Sequence, residues 1–565
     1  MLRYNVPAMK LRLPPFHQIT GAINFKKNAP SREDGRIYTI PLVLIILIFI
    51  FFVRLFHLTV VKGSYYRFAA ENNRLREILI EGKRGIIYDR KGYVLASSTP
   101  DYHRKYNDGF ALAHVLGYRS IASEQDLEHD ACQEPLRLND KIGVKGVEAL
   151  FECHLRPIKG KRLIEVDAQG KTTKTLSVVS PKSGKPITLS VDSELQKKAM
   201  EIIEQNDITT SVEVDLREKN IAIVATKPST GEILMLLSYP SFEPQMFESG
   251  DKELTQQYLH DKRKPLFDRV LQGTYPPGSV FKLIVAAGAL QESVISPEET
   301  YNDVGFIKAG PSTFNNWYYT QYGRTEGEVN MVKALRRSTD TYFYKAGERL
   351  TADKIKVWAE RFGLGKQTGI DFDEQTGVVP SDFWKREIIG EKWFLGDTYN
   401  LSIGQGYLLV TPLQINLATA VFANGGQLCL PQILKPTAKE NKELLKNSAP
   451  TCKSLHLKAE TLKTIREGMK QACESGGTGW PLFNFGVKDD NSTTSGQLKR
   501  IYVGCKTGTA ENPAGELPHA WFTVFAPFDK PEIALTVLVE NSGEGSNVAA
   551  PIAKEILKYY FERNQ

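Results

Sequence analysis

Metal-ligating residues are scarce in this sequence, with 9 histidines and 6 cysteines among 565 residues. No CxxC pair or His/Cys cluster occurs, so spacing points to no metal centre and none is expected. A concentrated basic stripe is also missing. The formal charge of +7, from 72 basic and 65 acidic side chains, is a mild excess for this length and argues against a nucleic-acid-binding protein. No internal repeat is present. No small-residue cleavage site follows the one long apolar run, so that run is not read as a cleaved signal peptide. The remainder is ordinary globular composition, 41% hydrophobic and 24% charged, long enough for two or three domains with substantial cores.

The apolar run begins at Ile37. IYTIPLVLIILIFIFFV carries no charge to Val53, Arg54 interrupts, and LFHLTVV continues to Val61. A helix over 37–61 is long enough to cross a bilayer, with Arg54 able to snorkel to the outer interface. A buried soluble helix is rarely apolar all round. Before the run lie Arg3, Lys10, Arg12, Lys26, Lys27, Arg32 and Arg36 against only Glu33 and Asp34. The positive-inside rule keeps 1–36 as a cytoplasmic tail, expected to be disordered, and sends everything after Val61 outside. All six cysteines (Cys132, Cys153, Cys429, Cys452, Cys473, Cys505) follow the anchor, where disulfides are permitted. Free buried thiols are as compatible with the sequence as bridges, and spacing alone does not choose a pairing.

Residues 62–182 form a first extracytoplasmic region. It opens with GSYYRFAAENNRLREILI, which has helical spacing and then turns extended. RGIIYDRKGYVLA follows as two short strands around Arg90-Lys91-Gly92, and KGVEALFECHL is helical. The Lys182–Pro186 cluster marks a boundary, and 183–565 is read as the second domain. There SELQKKAMEIIEQ is a helix and IAIVATKPSTGEILMLLS a hairpin. The stretch from about Tyr275 to Asn424 is rich in helix. RIYVGCKTG, HAWFTVFAP and EIALTVLVE are strands, and AAPIAKEILKYYFE is a closing amphipathic helix. Two outer strands early and three late make an α+β domain: one antiparallel five-stranded sheet covered by helices, with a helical lobe inserted.

The stretch TYPPGSVFKLIVAAGAL carries the most chemistry. Pro276-Pro277-Gly278 cannot lie inside a helix, so a helix is predicted to begin at about Ser279. Ser279 and Lys282 are three apart and share a face, and Lys282 is the only charged side chain from Val280 to Leu290. A serine hydroxyl needs a base, and a lysine serves if burial lowers its pKa. The bland alternative is an N-cap serine with an outward lysine. A second Ser-x-x-Lys, Ser249 to Lys252, sits in a polar turn with no apolar helix after it and is read as chance. Ser338-Thr339-Asp340 offers a hydroxyl and a carboxylate on a loop, or else a simple helix cap. Lys506-Thr507-Gly508-Thr509 reads as a strand on which Gly508 lets a ligand approach the backbone, or else as an edge strand with a surface lysine.

Ser-x-x-Lys, Ser-x-Asp and Lys-Thr-Gly in that order resemble the signature of the penicillin-recognising serine enzymes. RGIIYDRKGYVLA, KGVEALFECHLRPIKGK, GTYPPGSVFK, NLSIGQGYLLVTPLQ, KTGTAEN and VENSGEGSNVAAPIA extend the likeness to class B penicillin-binding proteins over nearly all of 63–557. The segment around HVLGY is similar to the elongation branch (penicillin-binding protein 2 type). The resemblance implies a pedestal over 62–182 and a transpeptidase domain over 183–565. It implies that Ser279 is acylated by a D-Ala-D-Ala stem peptide or a β-lactam, with Lys282 as base and Ser338 as proton relay. Asp340 stands where many relatives have Asn. Lys506 keeps the site positive, Thr507 and Thr509 bind the substrate carboxylate, Gly508 lies between them, and the N–H groups of Ser279 and Thr509 form the oxyanion hole. No cofactor is implied. A polytopic glycan polymerase of the shape, elongation, division and sporulation type is the implied partner. Cys505 stands where a small residue is common. Some elongation-type members hold zinc between the first two motifs; Val280 to Arg337 contains neither Cys nor His, so no zinc is expected here. A division-type enzyme, a carboxypeptidase, a β-lactam sensor and an inactive scaffold are the alternatives. The intact motifs weigh against the scaffold, and the single anchor weighs against the sensor.

Overall fold

The computed structural model describes residues 38–563 except 168, 207, 209–211, 446–451, 489–497 and 513–514. The expected cytoplasmic tail therefore lies outside the described residues. The chain divides into two compact units, 1–78 with 163–177 and 79–162 with 178–565.

In the first unit, helix α1 (Thr39–Phe56) runs into a π-helical turn at His57–Val61. Together they give one continuous helix, Thr39–Val61, long and apolar enough to cross a membrane. It is apolar on every side and therefore has no face suited to water. A helix over Gly63–Arg74 then gives way to a strand, Leu75–Ile80, as the local pattern predicts. That strand forms a three-stranded sheet with Gly160–Val166 and Thr172–Val179.

The second unit begins with the expected hairpin, Ile87–Tyr88 against Val94–Ser98. Asp89 Oδ1 closes its turn by accepting from the N–H groups of Lys91 and Tyr93, both at 2.8 Å. Behind it Glu148, fully buried, accepts from Arg84 Nε and Arg104 Nε, each at 2.6 Å. Buried charges persist only when paired in this way, and removing one partner typically costs about 3–5 kcal/mol.

The larger part of the second unit is built on helix α2 (Ser193–Gln205), capped by Asp192, and strands β1 (Ile221–Thr226) and β2 (Ile233–Tyr239). The helical lobe contains α3 (Lys282–Gln291), α4 (Trp317–Tyr322), α5 (Met331–Arg337), α6 (Asp340–Leu350), α7 (Pro412–Ala423) and α8 (Ala459–Ala472). Strands β3 (Gly504–Ala510), β4 (His519–Ala526) and β5 (Ile533–Val539) and helix α9 (Ala549–Glu562) complete it. The five strands form one antiparallel sheet in the order β2-β1-β5-β4-β3. Of the two early strands only β2 lies at an edge, because β1 pairs with β5; the other edge is the Lys-Thr-Gly strand.

Successive β1 side chains alternate between two cores. Ala222 and Val224 join the core that contains α3 and α7, whereas Ile221, Ile223 and Ala225 join the one that contains α2 and α9. Both faces are thus covered, which explains strands that read as unbroken apolar runs. Helix α7 starts at a Thr411/Gln414 capping box with Pro412 at its first turn. Its buried Asn416 donates to Val224 O at 3.1 Å and Ala534 O at 3.0 Å, fixing the helix on the sheet. All six cysteines pair, as Cys132–Cys153, Cys429–Cys452 and Cys473–Cys505.

Candidate active site

The turn before Ser279 is shaped by close approach on every side. Tyr275 exchanges two backbone hydrogen bonds of 2.9 Å with Val410, Gly278 N donates to Gly404 O at 2.8 Å, and Trp521 Nε1 donates to Pro276 O at 3.0 Å. Gly278 has φ of 56°, and a Cβ there would stand 2.6 Å from Thr509 O. Glycine therefore lets the Ser279 turn press against the Lys-Thr-Gly strand. Gly508 serves from the other side, since a Cβ would meet Pro277 O at 3.0 Å. The backbone of the turn that precedes Ser279 is brought against Gly508 and Thr509 in this way. The helix differs from expectation at its start: Gly278–Phe281 is a 3-10 turn, and α-helix begins only at Lys282.

Lys282 is completely buried. Its Nζ donates to Asp340 Oδ1 at 2.6 Å, Ser338 O at 2.8 Å and Ser338 Oγ at 3.3 Å. Burial lowers its pKa, and the Asp340 carboxylate opposes that shift. Lys506 is equally buried and donates to Ser338 Oγ and Thr507 O, both at 2.8 Å. Burial first, and repulsion from Lys282 second, hold its pKa well below the ordinary lysine range. The surface-lysine alternative for Lys506 is thereby excluded: the strand is at an edge, but the side chain faces inward beneath the lobe. Because Ser338 Oγ accepts from both lysines, its own proton remains available to a third group.

Ser338 occupies the left-handed region at φ 58°, which breaks the chain between α5 and α6 and turns its hydroxyl toward the lysines. Asp340 opens α6 and is held from several directions. Trp317 N donates to Asp340 Oδ2 at 2.8 Å, and Asp340 N donates to Asn316 Oδ1 at 3.0 Å. Asp303 supports the same loop, accepting from Thr341 Oγ1 at 2.6 Å and Asn316 Nδ2 at 3.1 Å. Thr507 is buried and donates to Thr478 Oγ1 at 2.7 Å, and Gln405 Nε2 donates to Thr509 O at 3.3 Å.

Lys282, Ser338, Asp340 and Lys506 thus form one hydrogen-bonded cluster, with Lys282 directly following the Ser279 turn and Thr507, Gly508 and Thr509 following Lys506 on its strand. The chance Ser-x-x-Lys lies elsewhere: Ser249 ends one short helix, donating to Met246 O, and Lys252 starts the next. Asp303, Asn316, Trp317, Gln405 and Thr478 went unrecognised in the sequence. Gln405 had a visible signal in the NLSIGQG segment, whereas the others contact the site only through tertiary folding.

The chain is similar to known proteins in sequence and in fold. A family model described as the penicillin binding protein transpeptidase domain matches residues 221–558, and one described as the penicillin-binding protein dimerisation domain matches 99–189. Peptidoglycan D,D-transpeptidase MrdA of Haemophilus influenzae is 32% identical over 478 residues, 82% of this chain and 70% of that protein. Among solved structures, Pseudomonas aeruginosa PBP2 in complex with WCK 5153 matches with a TM-score of 0.71 at 29% identity, over 86% of this chain and 96% of that one. A peptidoglycan synthase complex, described as coordinating polymerization and crosslinking, contains a chain that matches with a TM-score of 0.70 at 26% identity, over 94% of this chain and 98% of that one. The order of the motifs, the sheet that carries them and the span of these matches lead to one conclusion: the chain belongs to the penicillin-binding protein transpeptidase family.

Proposed function

We infer that this protein is an elongation-type peptidoglycan D,D-transpeptidase that works through an acyl-enzyme on Ser279. The observation that carries the reading is the position of Ser338 Oγ between two buried lysines, one of which, Lys282, begins the helix that follows the Ser279 turn. In the proposed reaction, neutral Lys282 takes the Ser279 proton as Oγ attacks the carbonyl of the penultimate D-alanine. The N–H groups of Ser279 and Thr509 receive the charge that develops on the carbonyl oxygen. The C–N bond breaks, the departing D-alanine amine takes a proton through Ser338, and an ester remains on Ser279. An amine from a second stem peptide then attacks the ester, loses its proton to the site and restores the serine hydroxyl. A β-lactam enters the same path, but its leaving nitrogen stays tethered after the ring opens. Thr507 and Thr509 receive the substrate carboxylate. Pentapeptide-bearing glycan strands incubated with the full-length protein should yield cross-linked dimers by mass spectrometry, and Ser279→Ala should yield none. Free D-alanine without dimers would instead assign a carboxypeptidase.

The anchor reading is supported by a helix that no described residue covers, together with the basic segment before it. Protease added to intact spheroplasts should digest the bulk of the chain; full protection would refute an extracytoplasmic catalytic domain. A polytopic glycan polymerase as partner is supported by what the enzyme requires, because cross-linking needs strands and the two family models that match this chain are a transpeptidase and a dimerisation domain. The full-length protein should co-purify with such a polymerase. Equal binding by a truncated protein beginning at Lys185 would show that the anchor and the pedestal are not the interface.

A further inference from the structure

Thr478 belongs to none of the three motifs, yet it is hydrogen-bonded to a residue of the third. It lies half-buried on the 474–479 turn that follows α8, and its Oγ1 accepts from Thr507 Oγ1 at 2.7 Å. The turn is fixed from several sides. The Cys473–Cys505 disulfide joins its start to the residue before Lys506. A Cβ on Gly479 would stand 2.8 Å from each of those two sulfurs. Gly479 N donates to Ala472 O at 2.7 Å. Arg336 Nη2 donates to Ser475 O at 2.8 Å and Arg337 Nη1 to Gly476 O at 3.1 Å, so the helix leading to Ser338 grips the same turn. Thr478 Oγ1 is thereby held in one place against Thr507.

A hydroxyl has a single proton, and in this structure Thr507 directs its proton to Thr478. A carboxylate has only acceptors. Thr507 can bind one only by turning its proton away from Thr478, which leaves its lone pairs facing the Thr478 oxygen. Thr478 can then rotate and donate its own proton to Thr507 Oγ1. The two hydroxyls exchange roles, and a chain Thr478 to Thr507 to carboxylate forms in which each bond polarises the next. No bond to a heavy atom changes and no proton leaves either oxygen.

We propose that Thr478 is a positioning residue that sets the preference of this site for acyl donors ending in a carboxylate, by reversing its hydrogen bond with Thr507 when such a donor binds. The proposal rests on the assignment of Thr507 to the carboxylate. It predicts selectivity rather than general rate, because an uncharged ester at the same position gains little from the donor that the relay supplies.

The test uses full-length protein and measures second-order acylation of Ser279 by benzylpenicillin and by its methyl ester, which lacks the carboxylate. Thr478→Val keeps the shape but cannot donate or accept. It should slow acylation by the acid about tenfold, the usual scale for losing one hydrogen bond that supports a charged ligand. The ester rate should stay within about twofold, and Thr478→Ser should restore the wild-type ratio. Thr478→Ala should shift the ratio in the same direction, so the conclusion does not depend on the folding of one variant. Equal slowing of acid and ester, or no change in either, would overturn the proposal. Failure of wild-type protein to be acylated at Ser279 by either compound would instead refute the underlying functional reading.

Discussion

Replacing Asp340 with asparagine should move the pH profile of acylation toward acid. Two opposing influences act on Lys282: burial lowers its pKa and Asp340, 2.6 Å from Nζ, raises it. The substitution removes the charge and keeps the shape, so only the raising influence is lost. Lys282 acts as a base in its neutral form, and the rate climbs with pH as the ammonium loses its proton. A lower pKa therefore places that climb at lower pH. The hydrogen bonds point the same way. Asp340 accepts from Lys282 through one oxygen and from Trp317 N through the other, at 2.8 Å. Asparagine has one oxygen for two donors. If the oxygen keeps Trp317, the amide N–H₂ faces Lys282, an arrangement that suits an amine with a free lone pair and not an ammonium. Forcing the ammonium there would leave a buried donor unpaired at about 1–3 kcal/mol. Acylation rates with a fluorescent penicillin, compared between wild type and variant over the pH range in which both stay folded, read the displacement of the climb. A climb that stays in place, or moves to higher pH, would show that Asp340 does not hold the base in its charged form.

Other substitutions probe separate parts of the account. Lys282→Met should slow acylation by about 10²–10⁴-fold, the usual range for loss of a general base, while thermal unfolding remains cooperative. Gly278→Ala places a Cβ 2.6 Å from Thr509 O at a φ of 56°, so it should cost about 1–3 kcal/mol in chemical denaturation and slow penicillin labelling. Joint replacement of Cys473 and Cys505 by alanine opens a loop between residues 32 apart and should cost about 3–4 kcal/mol on the chain-entropy scale, read as a lower denaturation midpoint.

Local signals made the centre of the site legible. Pro276-Pro277-Gly278 before an apolar run with one lysine is a strong constraint, because proline bars helix and a lone cation among apolar residues marks burial. What the sequence did not disclose depends on distant contacts. Lys506 sits on an edge strand, where a lysine ordinarily faces water, and only the overlying lobe makes it fully buried. Asn316 reaches Asp340 across 24 residues and Thr478 reaches Thr507 across 29, with no periodicity to announce either. The third-motif strand starts only at Gly504 rather than at Arg500, because Ile501 N bonds to Phe485 O and Phe528 N to Tyr502 O, outside the main sheet. Pairing of the cysteines was open for the same reason: Cys429 and Cys452 meet only because the short strands that carry them pair.

The central claim is that Ser279 is the nucleophile, and its most direct test is to label the full-length protein with a fluorescent penicillin and locate the adduct by peptide mass mapping. The account predicts a single adduct on the peptide containing Ser279 and none in Ser279→Ala protein that remains folded in the membrane. An adduct on Ser338 or Ser249, or undiminished labelling of Ser279→Ala, would contradict it.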